Sequence, residues 1–315
     1  MVRYVARRLG LVLLTLLISS AVIFIVTQIL PGDAARAILG RFATPQALAN
    51  LREKLGLDRP LLVQYGSWLA HYVRGDWGLS LSTGEPVFPL VAARLRNSAM
   101  LALVAFLMYV PLGILLGLFS ALRRGKLFDQ VVSITSLAFI GLPEFVTGLI
   151  LIAIFALGLN WLPASSDIRP DSGLIAALPR LILPGITVSL VSLAYIARMT
   201  RSSTADVLGT DYVRSAYLKG LHPLRVLFTH VLRNSLLPTV TVIAVGIGWL
   251  IGGLIVTESL FSYPGLGRLL LFAIQRRDLP LLQAITLLLV VVFSLSNLLA
   301  DILYALLNPR IRYTT

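Results

Sequence analysis

Apolar residues fill long uninterrupted runs of this chain, and polar residues gather between them. Six runs stand out, at 9–30, 98–122, 130–159, 181–197, 235–257 and 281–307. A helix rises about 1.5 Å per residue, so about 20 apolar residues cross a bilayer core of about 30 Å. The runs are continuous and do not alternate with period two, which excludes a membrane β-barrel. Lipid offers a backbone no partner for its N–H and C=O groups, so each run must be helical. The pattern predicts an all-α membrane protein with six transmembrane helices. The first run follows Arg3, Arg7 and Arg8. It is longer than the core of a cleaved signal, about 7–15 residues, and is expected to stay as a span.

Two polar stretches carry structure of their own. In 31–96, Thr44 can cap a helix that starts at Pro45, with Leu48, Leu51 and Leu55 on one face and a stop at Gly56. A second amphipathic stretch follows Pro60, with Leu61, Tyr65, Trp68 and Tyr72 on one stripe, and ends at Gly75. Spacing alone favours two short helices lying on the outer membrane face, anchored by aromatics, over a docking surface for an external protein. The other stretch, 198–233, leaves the fourth span at Arg198 and Arg201. Residues 204–208 can continue that helix until Gly209 breaks it. Asp211 can start a new short helix through Lys219, ended by Gly220. His222-Pro223 turns the chain, and 224–234 climbs back with Arg225 and Arg233 at its polar margin. A short helix held between two spans moves both when pushed. Such a basic helix could equally lie on anionic lipid. The expected division is 1–30, a basic segment and first span; 31–96, an outer loop; 97–307, a five-helix core containing the inner loop 201–233; and 308–315, a tail.

Composition agrees: of 315 residues, 57% are hydrophobic and 13% charged, too apolar for a soluble domain. The net charge of +13 reads as topology and does not call for a nucleic-acid partner. Segments 1–8, 122–128, 198–233 and 308–315 hold 14 of the 27 Lys and Arg, against only Asp206 and Asp211. Eight of the others lie in 31–96, where the positive-inside rule weakens with length. Both termini are therefore expected in the cytoplasm. The chain has no cysteine, which removes disulfides and thiolate metal sites.

Catalytic patterns are absent. No phosphate-cradling G-x-x-x-x-G-K-[ST], H-E-x-x-H or G-x-S-x-G occurs, and no nucleophile–base set is found. His71, His222 and His230 are too scattered for a metal site. No enzyme and no metal is expected. Two acids were singled out within apolar runs. Glu144, just after Pro143, lies about 20 Å into the third run. An ionisable group there costs about 2.5–3.5 kcal/mol, so it should face a bundle interior or a wet cavity. It can line a pathway for a polar solute, or be a protonated acid bonded to a neighbouring helix. Asp301 lies near the end of the last run, near Arg310 and Arg312. Gly113 and Gly117, and Gly248 and Gly252 with Gly246 and Gly253 nearby, allow close helix packing, by default within the chain.

The stretch RSAYLKG at 214–220, followed by Leu-Leu-Pro at 236–238, resembles the coupling loop of permease subunits of binding-protein-dependent ABC importers. That loop runs Glu-Ala-Ala, three residues, then Gly. Arg214 and Ser215 depart from it, and Ala216 and Gly220 match. The departures, with DYVR before them, are similar to the dipeptide/oligopeptide/nickel branch. YVARRL, LPGD, LGLDRPLLVQY, GDWGLS, LPEFVTGL, ARMTRSS, VTESLFSYPGLGRLL and NPRIR extend the likeness over nearly the whole chain. It looks most like the first permease of such a system, with glutathione permeases close.

The resemblance implies a type I importer permease fold in the bacterial inner membrane and uptake of peptides or a similar small polar solute. It implies a second homologous permease, two ATP-binding subunits that hold ATP and Mg, and a periplasmic or lipid-anchored binding protein, with no cofactor on this chain. Asp211, Tyr212, Val213, Arg214, Ser215, Ala216, Lys219 and Gly220 become the ATPase-coupling residues. Glu144 becomes a pathway-lining candidate, and Tyr65, Trp68, Tyr72, Asp76 and Trp77 become docking candidates for the binding protein. The competing reading is a secondary transporter driven by an ion gradient, with Glu144 carrying the proton. The Pro143 break has no mate elsewhere, against the paired breaks of inverted-repeat carriers.

Overall fold

The computed structural model describes residues 2–29, 44–55, 58–167 and 174–307. Gly56 and the segments LPGD at 30–33 and NPRIR at 308–312 lie outside them. The described chain is helical apart from turns and one isolated bridge between Leu79 and Pro86. In order come α1 (Val2–Ile29), α2 (Pro45–Leu55), α3 (Leu61–Val73), α4 (Val87–Leu122), α5 (Leu127–Gly141) and α6 (Glu144–Leu151). A π-helical turn, Ile152–Gly158, extends α6. Then follow α7 (Leu174–Leu208), α8 (Asp211–Leu218), α9 (Pro223–Val226), α10 (Leu232–Leu260), α11 (Leu266–Arg276) and α12 (Leu279–Leu307). A second π-helical turn, Leu227–Val231, joins α9 to α10.

Among the described residues five of these helices, or helix runs, are long and apolar enough to cross a membrane, and six if the bent pair α5–α6 counts as one span. That pair is bent by 112°. Pro143 explains the bend: it offers no N–H to α5, and it pushes Leu142 to extended angles (φ −89°, ψ 132°). The third run is thus a bent helix pair with Glu144 at the corner. The second run is longer than expected. Helix α4 starts at Val87, because its first turns pack Val87 and Val91 onto Leu266 of α11 and Ile285 of α12. Arg94, Arg96 and Asn97 hide that continuation from a hydropathy reading.

The core lies where α4, α7 and α10 meet, around the fully buried Leu101, Tyr109, Leu181 and Ile196. A Cβ on Gly113 would sit 2.8 Å from Ile196 Cγ2, and one on Gly117 2.6 Å from Thr200 Cβ. These two small residues therefore let α4 lie directly on α7. In α10, Gly248 faces Phe293 of α12, whereas a Cβ on Gly246 or Gly252 would meet open space. The glycine spacing there is only partly an internal contact.

Helix α1 lies along α12 and is fastened to it near both ends. Gln283 Nε2 donates to Thr27 Oγ1 at 2.6 Å, and Arg8 Nη1 lies 2.8 Å from Asp301 Oδ2. A structural hydrogen bond or ion pair is the role expected of Asp301; Arg310 and Arg312, near it in sequence, lie outside the described residues. The partner seen is Arg8, because α1 and α12 run antiparallel and bring residues of the two ends of the chain together.

Candidate functional site

Three places combine polar chemistry with an accessible position. The first is α8, which projects from one end of the bundle. Thr210 precedes it in an extended conformation, and Asp211 in its first turn favours the helix dipole. Lys219 ends it, and Gly220 leaves with φ +77°, a left-handed angle that a side chain resists. His222 Nδ1 accepts from Leu224 N at 3.3 Å, and Pro223 opens α9. Val213 and Ala216 are buried against Val226 and Val231, which seats α8 on the α9–α10 junction. The other coupling candidates, Asp211, Tyr212, Arg214, Ser215, Lys219 and Gly220, are exposed. Leu218 is 81% exposed, and Phe228 beyond α9 is 64% exposed.

At the same end, α5 and α7 are joined through one carboxylate. Asp129 is buried; Ser120 Oγ donates to its Oδ1 at 2.5 Å, Gly125 N to its Oδ2 at 2.9 Å, and Arg201 Nη2 to Oδ2 at 2.8 Å. Neither Asp129 nor the Arg201 pairing was foreseen. An acid in the first turn after a basic loop reads as an ordinary helix start.

The second place is a cleft of about 350 Å³ between α4, α6, α7 and α10. Its walls are mainly apolar, and Glu144 is one of its few polar groups. Thr257 Oγ1 donates to Glu144 Oε1 at 2.5 Å. A Cβ on Gly253 would lie 2.6 Å from Glu144 Oε2, so the bare backbone of Gly253 makes room for the carboxylate. Glu144 therefore bonds to a neighbouring helix and lines the cleft at once. The Tyr109 hydroxyl is buried and has no hydrogen-bond partner among the described residues. Tyr195 and Trp249 meet edge to face at 6.3 Å on the open side of the cleft.

The third place is the opposite end of the bundle, where α11 lies. Glu258 is fully buried near the end of α10. Ser98 Oγ donates to its Oε1 at 2.5 Å and Gly267 N to its Oε2 at 2.6 Å. Tyr263 Oη donates to Asn97 O at 2.7 Å, and Asn97 Nδ2 to Pro264 O at 2.8 Å, so the 261–267 turn is tied to α4. Asp278 is also fully buried: Leu281 N donates to its Oδ1 at 3.3 Å, capping α12, and Ser80 Oγ to its Oδ2 at 2.5 Å. Glu258 sits within the fifth apolar helix, so the acids inside the spans are not limited to Glu144 and Asp301. The signal available was Glu258 followed by Pro264, Gly265 and Gly267, an acid with bare backbone N–H groups shortly after it.

The docking candidates also lie at this end. Tyr65 Oη and Ser20 Oγ of α1 share a hydrogen bond of 2.8 Å, and Trp68 packs on Phe24 with centroids 5.7 Å apart. Tyr72 stacks on Trp77 at 4.7 Å and donates to Ala284 O of α12 at 3.2 Å. Burial pushes the Tyr72 phenol above its ordinary value. These four half-buried aromatics tie α3 and the following loop to α1 and α12. Asp76 alone of the five is exposed, and its Oδ1 accepts from Gly78 N at 3.3 Å.

Comparison with known proteins agrees with this architecture. Residues 113–313 match the family described as binding-protein-dependent transport system inner membrane component, and residues 1–102 match the N-terminal family of such membrane components. The chain is 40% identical over 334 residues to the di/tripeptide transport system permease protein DppB of Pseudomonas aeruginosa, covering 99% of each. It is 39% identical over 310 residues to the probable peptide ABC transporter permease protein y4tP of Sinorhizobium fredii, covering 98% of this chain and 99% of that one. It is also 39% identical over 313 residues to the glutathione transport system permease protein GsiC of Salmonella typhimurium, covering 99% of this chain and all of that one. The chain belongs to this family. It is a multi-pass inner-membrane permease subunit of an ABC importer with the type I permease fold, and not itself the catalytic component. Nothing in these relatives supports a carrier driven by an ion gradient.

Proposed function

We propose that this subunit pairs with a second homologous permease to enclose a pathway for small peptides, and that two ATP-binding subunits drive it through α8. ATP and Mg belong to those subunits, and this chain contributes the element they move. A periplasmic or lipid-anchored binding protein delivers the solute at the α11 end. The names of the relatives, peptide, di/tripeptide and glutathione permeases, support the substrate class. The single observation that carries the coupling role is the position of α8: it is docked through Val213 and Ala216 onto the junction of two spans while Tyr212, Tyr217 and Leu218 face outward. A push on α8 therefore reaches α7 and α10 together, and both line the Glu144 cleft. The excess of Lys and Arg over acids in the 201–233 loop supports a cytoplasmic position for it and for both termini.

The absence of native cysteine makes the test clean. In whole cells carrying the complete transporter, Leu218→Cys is expected to crosslink to an ATP-binding subunit. It should react with a membrane-impermeant maleimide only after the cells are opened. Labelling of intact cells from outside would overturn the reading.

A further inference from the structure

We propose that the cleft at Glu144 is a waypoint for the free ammonium group of the transported peptide, held by the Glu144 carboxylate and the Tyr109 hydroxyl. This rests on the peptide-permease reading above and adds the chemistry that the pathway selects. A carboxylate offers about four lone-pair directions. Among the described residues Glu144 uses one of them, for the Thr257 hydroxyl on Oε1. The carboxylate lines the cleft beside the bare backbone of Gly253. Tyr109 supplies an independent observation. Its side chain is fully buried, it lines the same cleft, and its hydroxyl oxygen has neither donor nor acceptor beside it. A buried hydroxyl is ordinarily paired, so an empty one in a cleft marks where a ligand's polar group comes to rest.

The remaining walls sort the candidates by charge. Among the described residues no Lys, Arg or His lines the cleft, so a carboxylate or phosphate meets repulsion from Glu144 and no cation. A primary ammonium presents three donors, which suit one carboxylate and one hydroxyl oxygen. The Tyr195 and Trp249 rings stand at the open side and can hold a cation on approach. Val188, Ile196 and Leu250 give apolar surface for peptide side chains and keep the local dielectric low. A lipid acyl chain would fit those walls but leave Glu144 and Tyr109 without partners. A basic side chain from the second permease would satisfy both, and the test separates it.

The test uses cells carrying the complete transporter and labelled trialanine, with N-acetyltrialanine, which lacks the ammonium and keeps the carboxylate, as the comparison probe. The binding protein is the same in all strains, so its own preference cancels when strains are compared. Glu144→Gln keeps an oxygen for Thr257 and preserves the packing. It is expected to co-purify with its partner subunits and to lower trialanine uptake about tenfold, the loss of one charge-assisted contact. Any uptake of the acetylated peptide should fall much less. Tyr109→Phe should shift trialanine uptake the same way by a smaller factor. Trialanine uptake at the wild-type rate in Glu144→Gln overturns the waypoint, as does equal slowing of both peptides. Failure of Glu144→Gln to co-purify with the second permease assigns the carboxylate to that subunit and also overturns it. A wild-type transporter that moves neither peptide overturns the peptide reading itself, a result distinct from all of these.

Discussion

Asp129 and Arg201 join the start of α5 to the end of α7, with Arg201 Nη2 2.8 Å from Asp129 Oδ2. Ser120 at the end of α4 donates to the same carboxylate. Three spans thus meet at one buried acid, just before the chain enters α8. Asp129→Asn removes the charge that organises these donors and is expected to destabilise the purified complex by about 1–3 kcal/mol. Thermal unfolding in detergent reads this as a lowered midpoint. The double variant with Arg201→Gln should lose less than the sum of the single changes, since the two residues act on each other. Strict additivity would show that the contact carries no energy.

Gly220 turns the chain out of α8 at φ +77°. Gly220→Val forces a branched side chain into a left-handed backbone, at about 1–2 kcal/mol or more. The exit then shifts to relieve the strain, and α8 points elsewhere. Membrane insertion should be unchanged, because no span contains this residue, while uptake in cells falls severalfold. Wild-type uptake by this variant would remove the need for a fixed α8.

Glu258 is buried with two donors aimed at it, from Ser98 and from the backbone of Gly267. Glu258→Ala orphans both, at about 1–3 kcal/mol for each buried group left unpaired. Ser98→Ala removes the donor to Glu258 and the acceptor of Leu266 N and should lower the unfolding midpoint as well. Equal midpoints for both variants and wild type would mean that the α10–α11 turn holds without this link.

The aromatic side chains of α3 and the turn after it separate a supporting role from a docking one. Tyr65→Phe deletes the bond to Ser20 and should lower stability by about 1 kcal/mol. Trp68→Ala should lower it by about 2 kcal/mol, less than for a fully buried ring. Neither should alter affinity for the loaded binding protein, measured by titration against the purified transporter. Asp76→Ala, at an exposed carboxylate, should leave stability unchanged and weaken that affinity. The reverse pattern would make the ladder the docking surface.

What the sequence revealed and hid follows from the range of the forces involved. The turn into α8 and its exit at Gly220 were legible because Gly209, Asp211 and Gly220 act on their own backbone. The corner at Pro143 was legible for the same reason. Helix α11, the early start of α4 and the Glu258 contact were not. Each depends on residues far apart in the chain, such as Ser98 and Glu258, and hydropathy averages see only neighbours. Trp68 shows the intermediate case: its stripe announces an apolar face, but nothing local says that Phe24 covers it. Glu144 was found because a charge in an apolar run stands alone, whereas Tyr109 looked like any aromatic in a span.

The pairing of Arg8 with Asp301 makes neighbours of the first and last helices at one end of the bundle. A short linker joining the end of α12 to the start of α1, in place of the residues beyond them, would therefore close the polypeptide into a ring without rearranging any span. Reopening such a ring at the exposed turn around Gly125 would yield a permuted gene product with the same set of helices. The order in which the spans leave the ribosome would change while their final neighbours would not, separating what insertion order contributes to this fold from what packing contributes.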